Sequence, residues 1–163
     1  MTRLLHITTA PINLDQLLGP QPAAFIDAGF EVFTASGHGV SVDYLSTHPV
    51  RGDHRASGVR HHVLSDFDGG VDVVAELRAA KSLKALLDEI QPDILHVHGS
   101  RPTALGQLVG RMSRVPIVVN SVHSDLTPVG IGLRRRAANH GMGRIAVAQS
   151  EAEFVHNLSL IHI

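Results

Sequence analysis

Asp93-Ile94-Leu95-His96-Val97-His98-Gly99 and Val115-Pro116-Ile117-Val118-Val119-Asn120-Ser121-Val122-His123 are two apolar runs that each end on histidine, with a short helical stretch between them. Two near-continuous apolar strands joined through a helix read as a βαβ unit of a parallel sheet. Helices on both faces remove the in-and-out alternation that a half-exposed strand would show. Ligands of open sheets of this kind gather just beyond the carboxyl ends of the strands. His98 and His123 each close a strand and are therefore predicted to face one crevice. His96 lies one step deeper on the same face and reads as a hydrogen-bonded core histidine.

The pattern repeats outward from this unit. Strands are predicted at 3–8, 31–35 and 59–64, with an irregular connection over 36–58. Pro22 opens a short helix holding Phe25 and Ile26, and Gly29 closes it. Val73, Val74, Leu77, Ala80, Leu83, Leu86, Leu87 and Ile90 recur at helical spacing until Pro92 stops the run. The loop Gly99-Ser100-Arg101-Pro102 leads to a helix over 103–113. Its apolar stripe is Leu105, Leu108, Val109 and Met112, and Gly106 and Gly110 let it approach the sheet. A basic helix over 133–138 and a sixth strand over 144–148 follow. Ser150 and Glu153 have capping-box spacing, which predicts a last helix running to Asn157. The fold class expected is α/β, a Rossmann-like doubly wound parallel sheet forming one domain over 1–157.

Leu158-Ser159-Leu160-Ile161-His162-Ile163 carries no cap and no turn chemistry. It resembles an in-frame translation of the transposon end used in sequencing libraries. Residues 158–163 are expected to be a non-native tail on a truncated reading frame.

Composition narrows the function classes. An apolar fraction of 44% over 163 residues suits one folded domain. A formal net charge of -1, one tyrosine and no tryptophan speak against a nucleic-acid surface. With no cysteine there is neither a disulfide framework nor a thiolate nucleophile. The start is too short in apolar residues for a signal peptide, and no run approaches membrane-spanning length, so a cytoplasmic protein is expected. Twelve histidines invite a metal reading, and His96 with His98 share a strand face. No carboxylate stands at ligand spacing beside that pair and the other histidines are scattered over polar segments, so no metal site is expected.

The order Leu5-His6-Ile7-Thr8-Thr9-Ala10-Pro11, Ala28-Gly29-Phe30-Glu31-Val32 and Gln91-Pro92-Asp93-Ile94-Leu95-His96-Val97-His98 resembles the acceptor-side half of family-4 glycosyltransferases. Arg114 to Val119 ending at His123, and Arg144 to Glu153, are similar to that family's next two strands. The likeness runs from Leu4 to about Val155 and is weakest from Val40 to Asp72. It implies a GT-B enzyme, two Rossmann-like domains across a cleft, that transfers a sugar from a nucleotide sugar with retention and without a metal or other cofactor. This chain would be the first domain. In the family the second domain carries a pair of glutamates and a basic residue and holds most of the donor, so the fragment alone is expected to be inactive.

By the same resemblance His123 is the catalytic-site residue, placed near the donor sugar and better suited to positioning than to acting as a base. His98, Gly99 and Ser100 would bind substrate on the acceptor side, ahead of a helix N-terminus. Many members carry a glycine-rich turn after the first strand. Here Thr8-Thr9-Ala10-Pro11 stands there, and only Thr9 is carried over as a substrate contact. The partners implied are a nucleotide-sugar donor, a glycan or lipid-linked acceptor and the missing C-terminal domain. Arg134-Arg135-Arg136 reads first as a solvated face and second as a peripheral contact with the inner face of the membrane. Cell-envelope or exopolysaccharide synthesis is the setting expected. Three other readings stay open: a nucleotide-sugar epimerase of the same fold, a non-catalytic sugar- or nucleotide-binding module and, last, a histidine metallohydrolase, which zinc retained through His96 and His98 would favour.

Overall fold

The computed structural model describes residues 1–11, 14, 18, 21–37, 59–68, 73–122 and 152–155. Their elements are β1 (Arg3–Ile7), α1 (Gln21–Asp27), β2 (Glu31–Ser36), β3 (Arg60–Val63), a 3-10 helix (Ser65–Asp68) and α2 (Val73–Ile90), then β4 (Ile94–His98), α3 (Ser100–Met112), β5 (Ile117–Val122) and β6 (Ala152–Val155). All strand pairs are parallel and their order is β3-β2-β1-β4-β5-β6. This is the Rossmann-like sheet that the two apolar runs predict, with α1 between β1 and β2, α2 between β3 and β4 and α3 between β4 and β5.

Alternation within each strand sorts the side chains onto two faces. Leu5, Ile7, Phe33, Ala35, Leu95, Val97 and Val118 form one face, packed against Ala79, Leu83 and Leu87 of α2 and Leu105 and Val109 of α3. Each large aliphatic side chain removed from water here contributes about 1.5–3 kcal/mol. The opposite face meets α1, where the Phe25 ring lies 5.9 Å from that of His6. After α1 the Phe30 amide donates to the Phe25 carbonyl and that of Gly29 to Ile26, so the helix closes in a Schellman turn, with the Phe25 and Phe30 rings edge to face.

Both long helices differ from the expected stripes. Val73, Val74 and Leu77 in the first turns of α2 are exposed, and the buried line runs through Ala75, Ala79, Leu83, Leu86, Leu87 and Ile90. On α3, Leu108 and Met112 are exposed while Thr103, Leu105, Gly106, Gln107, Val109 and Gly110 are buried. The helix has turned its small residues to the sheet because contact there is too close for larger ones. A Cβ on Gly106 would stand 2.4 Å from Val97 Cγ1, and one on Gly110 3.0 Å from Leu95 Cδ2. α3 also begins at Ser100, inside the predicted loop, because Pro102 in a first turn forfeits only an amide that has no intrahelical partner.

The predicted helix beginning at Ser150 is corrected: Ala152–Val155 is a strand paired with β5, Val119 opposite Ala152 and Val122 opposite Val155. A capping box supplies two local hydrogen bonds, whereas the open edge of β5 offers a ladder to every residue of a Phe- and Val-containing segment. The strand expected over 144–148, the helix over 133–138, the connection over 38–58 and the tail over 158–163 lie outside the described residues.

The amino edge of the sheet is tied by charge. The Arg3 amide donates to the Asp93 carboxylate at 2.7 Å, and its guanidinium donates to the Ile90 carbonyl at 2.9 Å and to Glu31 at 3.3 Å. Arg60 pairs with the same Glu31 and covers the Phe33 ring. These pairs are partly exposed, so each adds at most about 1 kcal/mol. The carboxyl edge is built from other chemistry.

Candidate functional site

From β1 the sheet continues to β2 and β3 on one side and to β4, β5 and β6 on the other. The winding reverses between β1 and β4, and connections leaving in opposite directions open a crevice at their carboxyl ends. Thr8 and Thr9 follow β1 there and Gly99 follows β4. The strand register, which sets Ile7 opposite Val97, places Thr9 opposite Gly99 when extended by two residues.

The sheet face on the α1 side turns polar as it nears this crevice. Its deeper layer is apolar, with Val32 and Leu4 buried. One step on, His61, Thr34, His6 and His96 stand in register across β3, β2, β1 and β4. Two residues further come Ser36, Thr8, His98 and Ser121, with His98 opposite Ser121. His6, Thr8, Thr34, Ser36, His98 and Ser121 are all buried. Burying such groups costs several kcal/mol each unless hydrogen bonds replace water, so the bonds decide whether this face can exist.

The bonds are present. Thr34 Oγ1 lies 2.9 Å from His61 Nδ1, and Ser36 donates to the Gly37 carbonyl. His6 Nδ1 and His98 Nε2 are 3.2 Å apart, and His96 Nε2 is 2.8 Å from Ser121 Oγ. The His96 and His98 rings lie 4.1 Å apart and that of His6 5.0 Å from His96. One ring nitrogen from each of His6, His96 and His98 falls within 4.8 Å of the others. These three are the metal-capable group among the described residues.

At the end of β4 the backbone turns sharply. Gly99 has φ +91° and ψ 163°, a conformation essentially reserved for glycine, and its carbonyl accepts from the Thr103 amide at 3.1 Å and the Thr103 hydroxyl at 2.6 Å. That turn starts α3 directly beside the crevice, with Ser100 as its first residue. At the end of β1, the Thr8 hydroxyl donates to the Ala10 carbonyl and the Thr9 carbonyl accepts from the Gly37 amide at 3.1 Å. Thr9 is half-buried.

Of the residues predicted for the site, Thr9, His98, Gly99 and Ser100 thus lie at the carboxyl ends of two adjacent strands. His98 is turned inward onto His6. His123 lies outside the described residues, as does Arg134-Arg135-Arg136. His96 is hydrogen-bonded as expected of a core histidine, although it is half-buried. Sequence reasoning passed over His6, Ser121 and His61. His6 has the strand parity of a side chain on the His96 face, but only the adjacency of β1 and β4 reveals the meeting.

The family profile described as glycosyl transferase 4-like matches residues 31–134. The UDP-Gal:alpha-D-GlcNAc-diphosphoundecaprenol alpha-1,3-galactosyltransferase of Escherichia coli is 30% identical over 71 residues, covering 44% of this chain and 18% of that protein. Among solved structures, MurG of Acinetobacter baumannii superposes with a TM-score of 0.61 at 9% identity, over 95% of this chain and 41% of that one. The UDP-GlcNAc 2-epimerase of Methanocaldococcus jannaschii gives 0.61 at 11% identity, over 96% of this chain and 40% of that one. The chain spans less than half the length of each of these proteins.

Proposed function

The chain belongs to the glycosyl transferase 4-like family, and from that premise we propose that it is the acceptor-side half of a two-domain GT-B transferase. The enzyme would move a sugar, with retention, from a nucleotide sugar to a glycan or lipid-linked acceptor during cell-envelope or exopolysaccharide synthesis. The family match carries this reading, because it runs from the first residue of β2 past the end of β5 and so includes half of the switch-point crevice. The galactosyltransferase relative, whose name pairs UDP-Gal with a diphosphoundecaprenol acceptor, supports a lipid-linked acceptor.

In this reading His123 positions the donor sugar, while Thr9, His98, Gly99 and Ser100 face the acceptor. Amides at the start of α3 favour an anionic group near Gly99. A neutral imidazole held in place donates to a hydroxyl or phosphate oxygen without reorganising as charge develops. The donor nucleotide is held chiefly by a second domain, and transfer needs no cofactor beyond it. The reaction is cytoplasmic, with Arg134-Arg135-Arg136 available for contact with the inner membrane face. Among the described residues no helix is long and apolar enough to cross a membrane.

The test has two stages. A long read of the source DNA through codon 157 is expected to continue in frame into a second Rossmann-like domain. The protein so encoded is then incubated with nucleotide sugars and with glycan or polyprenyl-diphosphate acceptors. Release of nucleotide only when acceptor is present is the expected result. Conversion of the donor without acceptor makes the protein an epimerase, and a genomic stop after Ile163 with ligand binding but no turnover makes it a binding module.

A further inference from the structure

We propose that His6, His96 and His98 form a three-histidine site for a divalent transition metal of the zinc class. Two of the ligands sit at i and i+2 of β4, so strand geometry sends both to one face. The third is fixed by sheet pairing, since His6 is the register partner of His96 on β1. Both strands are interior to the sheet, and each is hydrogen-bonded along both edges. Three imidazoles are therefore held by a rigid ladder at the switch point.

The distances fit. A tetrahedral ion with Zn–N bonds of 2.0–2.1 Å separates its nitrogens by about 3.3–3.4 Å. His6 Nδ1 and His98 Nε2 are already 3.2 Å apart, the length of one such edge. His96 offers a nitrogen within 4.8 Å of both and closes the triangle by a small ring rotation. The proton now shared by His6 and His98 moves to the other nitrogen of its ring when metal takes its place, so both rings stay neutral. In the proposed site His96 binds through Nδ1, and Ser121, 2.8 Å from His96 Nε2, is then the outer partner that orients the ring.

The donor set also chooses the ion. Three nitrogens with no carboxylate in the group disfavour magnesium and calcium, which take oxygen, and favour zinc, cobalt, nickel or copper. Three protein ligands leave one position open, and half-buried His96 is the side from which an ion and its water enter. The site shares His98 with the acceptor side of the proposed transferase, but it is read by metal uptake and not by sugar transfer, so failure of the one is distinguishable from failure of the other.

The experiment uses the purified chain, stripped with chelator and titrated with zinc chloride by calorimetry and with cobalt chloride by visible absorption. One zinc per chain, a rise in the thermal midpoint with zinc, and the intense bands of four-coordinate cobalt are expected. His6→Gln and His98→Gln each lower the affinity about 100-fold or more, the upper range of what removing even an outer partner costs. His62→Gln, an edge-strand histidine beside Phe33 on the opposite face, leaves it unchanged. Should a glutamine variant fail to fold, imidazole nitrogen shifts of the unaltered chain decide, with three of the twelve histidines moving together on zinc addition. Absence of saturable uptake, uptake that survives both glutamine variants in folded protein, or zinc shifts confined to other histidines overturns the site.

Discussion

At the scale of single residues, Gly99 and His6 teach opposite lessons. Gly99 stood out in the sequence as the first residue of the loop after an apolar strand, and its positive φ explains why a residue with a side chain is disfavoured there. Gly99→Ala is expected to cost about 1–3 kcal/mol, read as a lower denaturant midpoint with an unchanged slope. His98 was legible for the same reason, because a polar residue ending an apolar strand marks a sheet edge. His6 was not, since it sits inside the strand Leu4-Leu5-His6-Ile7 and its partner is 92 positions away. Period-two alternation tells which face a residue takes but not which strand lies alongside. His61, read as one of the scattered histidines, belongs to the same polar row for the same hidden reason.

At the scale of elements, the existence and kind of β1 to β5 and of the helices between them followed from periodicity, while faces and ends did not. The α3 stripe of Leu105, Leu108, Val109 and Met112 assumed that the largest apolar side chains point inward. Close approach reversed that for two of the four, since Gly106 is the residue that meets Val97. Gly106→Ala is accordingly expected to destabilise by about 1–3 kcal/mol, although alanine is the better helix former, because Val97 is β-branched and walled in by the core. A thermal midpoint equal to or above that of the parent would contradict this. Ala152–Val155 shows the other failure: a helix-start spacing was overruled by an unpaired strand edge, a tertiary fact with no local signature.

At the scale of the whole molecule, two faces of one sheet divide the labour. The face packed by α2 and α3 is apolar and supplies the cohesion, while the face toward α1 carries histidines, serines and threonines up to the crevice. Amide hydrogen exchange is expected to follow this plan, slowest in β1 and β4 at the centre and fastest in β3 at the edge, with a reversed order excluding the arrangement. The central place of β1 also constrains how the chain is made. β1 and β2 leave the ribosome early and can pair at once, yet the other edge of β1 waits for β4. From Ser36 to His98 is 62 residues, which at a synthesis rate of about 5–20 residues per second takes roughly 3–12 s. Throughout that interval a newborn apolar strand presents an unsatisfied edge in a crowded cell. Codon speed and chaperone capture over residues 37–98 therefore act on the yield of this protein before any of its chemistry begins.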